Sequence, residues 1–391
     1  MSTPARPNTA LLRPVYLAVF LDMVAFATIL PALPFFAMSL GATGLWVGIL
    51  LTSYSVSKLV GASVAGRMSD RFGRKPLLVI CLLGSGLSFL LTGLSGSLIF
   101  LAAARAVAGL FGGTIATAQA YVADVTRPAE RARFMGLLGA AIGMGFIVGP
   151  WIGAALGRYG FVVATSVAAV LALVNGLVAV FLVRETPRQR QDAGSASSWT
   201  ELATQPAAIT ILVAMFLTLF AFVSMETTLA FVASAEYGLD ARGFGMILVY
   251  VGLIMIFVQG GIVGRLSPRF GERRLAAVGA LLLGTSMFLL PFADGFLTAM
   301  AFLGTLAIGQ GLLSPTLSTL LSRTTRENRQ GSMLGFGQSV ASAARALAPV
   351  LAGWLYDQGA SWPFVLAGAA ALLAAGGLAR LRRSEPVRLR V

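Results

Sequence analysis

Polar positions in this chain come in short clusters, and long runs with almost none separate them. Runs of about 20 apolar residues, the length that crosses a hydrocarbon core, occupy 14–37, 45–66, 77–94, 97–121, 134–157, 161–183, 206–232, 243–264, 275–292, 297–321, 331–355 and 361–380. Within each run the apolar residues are continuous and rich in Leu, Ala, Val and Gly. The strands of a membrane barrel alternate apolar and polar residues over about ten positions, and these runs do not alternate. The pattern predicts an all-α polytopic membrane protein with twelve transmembrane helices.

Composition agrees. Hydrophobic residues make up 57% of the chain and charged residues 11%, against about 25% charged in soluble domains. The net charge of +14 invites a nucleic-acid reading, but its placement argues against one. With the N-terminus assigned to the cytoplasm, all but five of the 29 Lys and Arg fall in cytoplasmic tails or loops. Arg158 and Arg242 fall outside, and Lys58, Arg105 and Arg345 fall within helices. This is the positive-inside bias. It predicts both termini in the cytoplasm and a multi-pass protein of the cell (cytoplasmic) membrane. The first run follows Arg13-Pro14, is too long for a signal-peptide core and is expected to be retained.

The chemistry is restricted. Cys81 is the one cysteine and there is no His, which excludes an internal disulfide, imidazole ligands and most acid–base triads. No G-x-x-x-x-G-K-[ST] loop for nucleotide phosphates is present. No metal or cofactor is expected, and an ion gradient, of protons, is the expected driving force.

The chain repeats itself. GRMSDRFGRK at 66–75 returns as GRLSPRFGERR at 264–274, an offset of 198, and with an offset of 199 Gly136 meets Gly335 and Pro150 meets Pro349. Six runs per copy is an even number, so both copies start on the same side of the membrane. The polar stretch RETPRQRQDAGSASSWTELATQ at 184–205 has the composition of a flexible linker. The expected organisation is an N-terminal six-helix bundle at 1–183, a cytoplasmic linker at 184–205 and a C-terminal six-helix bundle at 206–391, with a substrate path between the bundles.

Charges inside apolar runs each need a reason, because burying one at a helix centre costs at least about 2.5–3.5 kcal/mol. Asp22 lies about 12 Å into the first run at 1.5 Å per residue. A carboxyl whose ionised form is costly there can take up and release a proton each cycle; the alternative is a neutral acid that joins helices. Glu226 maps onto Thr28 in the repeat, so it is expected about 9 Å farther out than Asp22. It reads as a second proton site or a partner for a cationic substrate. Arg105, which opens Arg105-x-x-x-Gly109, cannot lose its proton, and Asp22 is its expected partner. Arg345 is expected to line the cavity and pair with Glu226, or to bind an anionic group. Lys58 is expected to snorkel towards the cytoplasmic loop. Thr28, Tyr54, Gln119 and Phe222 are candidates for the wall of a substrate cavity.

Three further stretches carry a resemblance. Gly66-x-x-x-Asp70-Arg71-x-Gly73-Arg74-Lys75 sits between runs two and three, Asp22 to Pro34 ends in Pro-x-x-Pro, and Gly145-x-x-x-Gly149-Pro150-x-x-Gly153 lies in run five. Together with the Arg105 stretch, they make the whole chain resemble the major facilitator superfamily, most closely its twelve-helix drug:proton antiporters, which include the tetracycline-type efflux pumps. The resemblance implies alternating access and multidrug efflux. It implies that Gly66, Asp70, Gly73 and Arg74, with Asp124 at the end of helix 4, form a conformational lock on the cytoplasmic side. It implies that Gly145, Gly149, Pro150 and Gly153 mark exporters, with a bend at the interface between the halves. It also implies proton coupling, for which Asp22, Glu226 and Arg105 are the candidate residues.

The expected partners are a small-molecule substrate, protons and the bilayer, with the chain acting as a monomer and no nucleic acid involved. A same-fold transporter of a sugar, lipid or anionic metabolite, bound by Arg345 and Lys58, remains the alternative. A membrane receptor or enzyme is a third reading.

Overall fold

A computed structural model of the chain describes residues 11–126, 128–186, 205–324 and 330–381. Long helices follow one another, and no strand occurs among the described residues. They are α1 (Leu12–Ile29, continued by Ala32–Ser39), α2 (Gly44–Phe72), α3 (Arg74–Gly93), α4 (Leu98–Leu110, continued by Thr114–Val125), α5 (Pro128–Leu156) and α6 (Phe161–Leu182). After these come α7 (Pro206–Tyr237), α8 (Ala241–Phe257, continued through a π turn at Val258–Ile262 to Val263–Phe270), α9 (Glu272–Leu289), α10 (Phe296–Arg323), α11 (Gln330–Gln358) and α12 (Trp362–Arg380).

Eleven of these segments are long and apolar enough to span a membrane. The twelfth, α11, has the length, 29 residues. Gln338, Ser339, Ser342 and Arg345 interrupt its apolar run.

The interruptions have local causes. In α1, Pro31 and Pro34 each lack an N–H, and the helix turns at Leu30–Pro31 before resuming. In α4 the helix opens at Phe111–Gly113, where Gly112 donates its N–H to Gly109 O at 2.8 Å. Pro150 does not break α5, which runs continuously from Pro128 to Leu156.

The chain divides into two compact units: Met1–Asp192 with Ala230–Val249, and Ala193–Leu229 with Tyr250–Val391. The first unit thus takes the end of α7 and the start of α8, which the expected bundle boundaries place in the second copy. Gly245 accounts for this locally: a Cβ there would lie 2.8 Å from Ala154 Cβ and 3.3 Å from Pro150 O, so α8 packs directly on α5. Most of the expected linker, 187–204, lies outside the described residues.

Within the first unit, α1 packs on α5 and α6, α3 on α6, and α2 on α4; within the second, α9 packs on α10 and α12. Each unit turns from its second to its third helix through a glycine with positive φ, Gly73 at 107° and Gly271 at 78°. Each of these glycines donates its N–H to a serine carbonyl, Ser69 O and Ser267 O. The repeat in the sequence is therefore also a repeat in backbone geometry.

Candidate functional site

The approach of α4 to α2 builds the centre of the first unit. Gly109 has no Cβ, and one placed there would lie 2.8 Å from Ser57 Cβ and 2.9 Å from Lys58 N. Gly113 meets Ala65 and the Cys81 sulfur in the same way. These small residues let the two backbones touch. Arg105, one turn before Gly109, is thereby laid against Tyr54.

The resulting cleft is lined by Asp22 and Phe26 from α1, Tyr54 and Lys58 from α2, Ser85 from α3 and Gly112 from α4. Phe26 and Tyr54 stack with ring centroids 4.9 Å apart and planes 26° apart. Two cations share these rings. Arg105 Cζ lies 4.6 Å from the Tyr54 centroid and 5.8 Å from that of Phe26. Lys58 Nζ lies 5.5 Å and 5.9 Å from the same two centroids. Lys58 therefore points into the cleft and does not snorkel; the aromatic faces give its ammonium a favourable seat.

Asp22 is buried at 5% exposure, and its charged and polar neighbours are Lys58 and Thr114. The buried Thr114 hydroxyl stands beside the carboxyl. The expected Asp22–Arg105 ion pair is absent among the described residues: Arg105 lies over the rings of Tyr54 and Phe26 instead. Gly109 is the physical reason, because it sets Arg105 against Tyr54 of α2, with Phe26 of α1 beside it, and leaves Lys58 as the cation beside Asp22.

Arg105 is 1% exposed, and its Nε and Nη1 have no hydrogen-bond partner. Taking a guanidinium out of water costs several kcal/mol even after relaxation. A desolvated cation–π contact returns about 2 kcal/mol. The rings therefore offset only part of the cost.

At the end of the unit that carries Gly73, a second set of charges meets. Arg74 donates from Nη1 to Asp70 at 2.5 Å and to Ser69 Oγ at 2.7 Å, and from Nε to Asp124 at 2.7 Å. The sequence-predicted trio of Asp70, Arg74 and Asp124 is thus brought together. The members are unequal, however: the Asp70 side chain is 68% exposed and that of Asp124 only 3%. An exposed i,i+4 pair is worth about 0.3–0.5 kcal/mol, whereas removing one partner of a buried pair costs about 3–5 kcal/mol. Asp124 carries the static weight.

Glu185, just past α6, is a member that sequence reasoning missed. Its carboxylate accepts from Arg74 N at 2.8 Å and Lys75 N at 3.2 Å. It sits on the positive end of α3. Gly73 makes room, since a Cβ there would lie 2.6 Å from the Glu185 carboxylate. Gly66 differs, having open space where a Cβ would stand, so neither a turn nor close packing within its unit explains it.

The second unit repeats this clasp with its charges exchanged. Glu272 occupies the place of Arg74 at an offset of 198, and Arg323 that of Asp124 at 199. They bond through Arg323 Nη2 and Glu272 Oε1 at 2.8 Å. Where Glu185 holds the start of α3, Arg273 holds the end of α12, donating to the carbonyls of Leu378 and Ala379.

The glycines of α5 form a stripe against α1. A Cβ on Gly149 would lie 2.5 Å from Ala27 Cβ and 2.8 Å from Val24 O; Gly145 meets Met23 and Phe20, and Gly153 meets Thr28 O. On another side, Asn175 of α6 donates to Ala18 O at 2.8 Å. The stripe thus fixes the helix that carries Asp22 and Phe26, with Pro150 buried beside it.

Among the remaining candidates, Thr28 is 1% exposed, donates its hydroxyl to Val24 O at 2.8 Å and is not among the residues that line the cleft. Gln119 is exposed and Phe222 half-buried. Glu226 and Arg345 are both exposed and are electrostatic neighbours in the second unit.

These features define a multi-pass membrane protein with ionisable groups gathered in a helical cleft, the arrangement of a transporter. The sequence model of the major facilitator superfamily matches residues 15–307 and 260–391, and the chain belongs to that superfamily. It is 27% identical to multidrug resistance protein 2 of Bacillus subtilis (strain 168), over 90% of each chain. It is 30% identical to the class C tetracycline resistance protein of Escherichia coli, over 88% of this chain and 89% of that one. The crystal structure of a bacterial homologue of the human lysosomal transporter Spinster superposes with a TM-score of 0.81 at 13% identity, covering 96% of this chain and 97% of the other.

Proposed function

We propose that this transporter is a proton-coupled exporter of small amphipathic compounds, working by alternating access in the cytoplasmic membrane. It needs no cofactor, acts as a monomer and has both termini in the cytoplasm. The observation that carries the reading is Asp22: a buried acid that lines the same cleft as the stacked Phe26 and Tyr54. Proton occupancy of Asp22 changes the charge of the cleft, and that changes which conformation and which guest are favoured. The similarity to multidrug and tetracycline resistance proteins supports the exporter direction. Glu226 and Arg345 supply a second ionisable pair in the other unit.

Proteoliposomes with a trapped pH dye test this. A panel of cationic, neutral and anionic amphiphiles should include members that release protons through the wild type, and Asp22→Asn should abolish that release. Wild-type proton flux in the mutant rules Asp22 out as the coupling group. If no compound moves protons in the wild type, the antiport reading fails for the panel.

A further inference from the structure

Behind Phe26 and Tyr54, which line the cleft, lies a buried cation that no carboxylate pairs. Asp22 and Lys58 face each other as opposite charges, and Thr114 beside them is neutral. Arg105 has no carboxylate among its partners, makes no hydrogen bond through Nε or Nη1, and is 1% exposed. Its guanidinium lies over Tyr54, and Lys58 Nζ reaches the same ring. A buried guanidinium with two unused donors, Nε and Nη1, is the complement of a planar oxyanion. We infer that Arg105 is an anion receptor and that the compounds carried bear a carboxylate or sulfonate beside an apolar body. This rests on the reading that the cleft is the substrate site.

The oxyanion would accept from the free edge of Arg105, with Lys58 as the adjacent cation and Phe26 and Tyr54 as apolar support. The free volume of the cleft in this conformation, about 10 Å³, holds about one water, so the guest enters in a more open conformation of the transport cycle.

The test uses the purified full chain in nanodiscs and three probes of one shape: 2-naphthoate, 2-naphthamide and 2-naphthylmethylammonium. Binding is read by calorimetry. The wild type should bind the carboxylate at least about tenfold more tightly than the amide, as one charge-assisted contact implies, and the ammonium more weakly still. Arg105→Gln should remove that preference and Arg105→Lys should keep part of it. If the wild type binds the amide or the ammonium as tightly as the carboxylate, or fails to bind the carboxylate, the inference is wrong. A preference unchanged in Arg105→Gln is equally fatal. Should Arg105→Gln not fold, the wild-type ranking and Arg105→Lys still decide. Arg105-dependent anion binding without proton flux would defeat the coupled-export reading and leave the receptor standing. Proton flux with cations alone would do the reverse.

Discussion

At the scale of single residues, exposure separates groups that the sequence presents as equals. Asp70 and Asp124 both bond Arg74, yet one is in solvent and the other is buried. Asp124→Ala should therefore destabilise the protein by about 3–5 kcal/mol, read as a lowered midpoint of denaturant unfolding in micelles. Asp70→Asn should change the stability by less than about 0.5 kcal/mol and still cripple transport, because the family resemblance makes it part of the conformational lock. Equal destabilisation by both substitutions would refute the division. The sequence made Asp22, Asp124, Arg74 and Gly73 legible because a charge or a glycine in a membrane chain demands a reason. It did not reveal that Arg105 faces Tyr54 instead of Asp22. Which acid meets a buried cation depends on the rotation of α4 about its axis, and Gly109 sets that rotation through a contact with α2 that spacing alone cannot express. Glu185 escaped because RETP reads as a linker, and its role depends on where α6 ends against α3.

At the scale of elements, small residues and inverted charges fix which helices meet. Gly109→Ala should force α2 and α4 apart at a cost of about 1–3 kcal/mol. It should also weaken binding at the cleft, which would show as a lowered unfolding midpoint together with lost ligand affinity. Unchanged stability would mean that the close approach of Gly109 to Ser57 and Lys58 is not sustained. The clasp of the second unit gives a cleaner experiment. Glu272→Arg should set two cations against each other and cost up to about 1 kcal/mol, since the Arg323 side chain is largely exposed. Adding Arg323→Glu should restore it, giving that pair the polarity seen in the first unit. If the double substitution is no better than the single one, the two residues do not act as a pair. The echo at Gly264 was visible in the sequence, and the change of Arg74 to Glu272 reads there as a lost member. Only the position of Arg323 reveals an exchange of partners.

At the scale of the whole molecule, the fold was the most legible level. A continuous apolar run about 20 residues long has few ways to satisfy its backbone in lipid other than a helix, so the spans follow from composition. Their ends were less legible. Several helices, including α2 and α5 at 29 residues each, extend past their apolar runs into charged segments that still prefer helix. The assignment of Ala230–Val249 to the first unit depends on contacts such as Gly245 with Ala154, which no boundary in composition marks.

The central claim is that Asp22 joins the movement of protons to the movement of substrate. Counterflow in proteoliposomes tests it most directly, because exchange of labelled for unlabelled compound needs no net proton movement. Asp22→Asn should keep counterflow of a transported amphiphile while losing its accumulation against a gradient driven by protons. Accumulation at the wild-type level in that mutant, with counterflow intact, would contradict it.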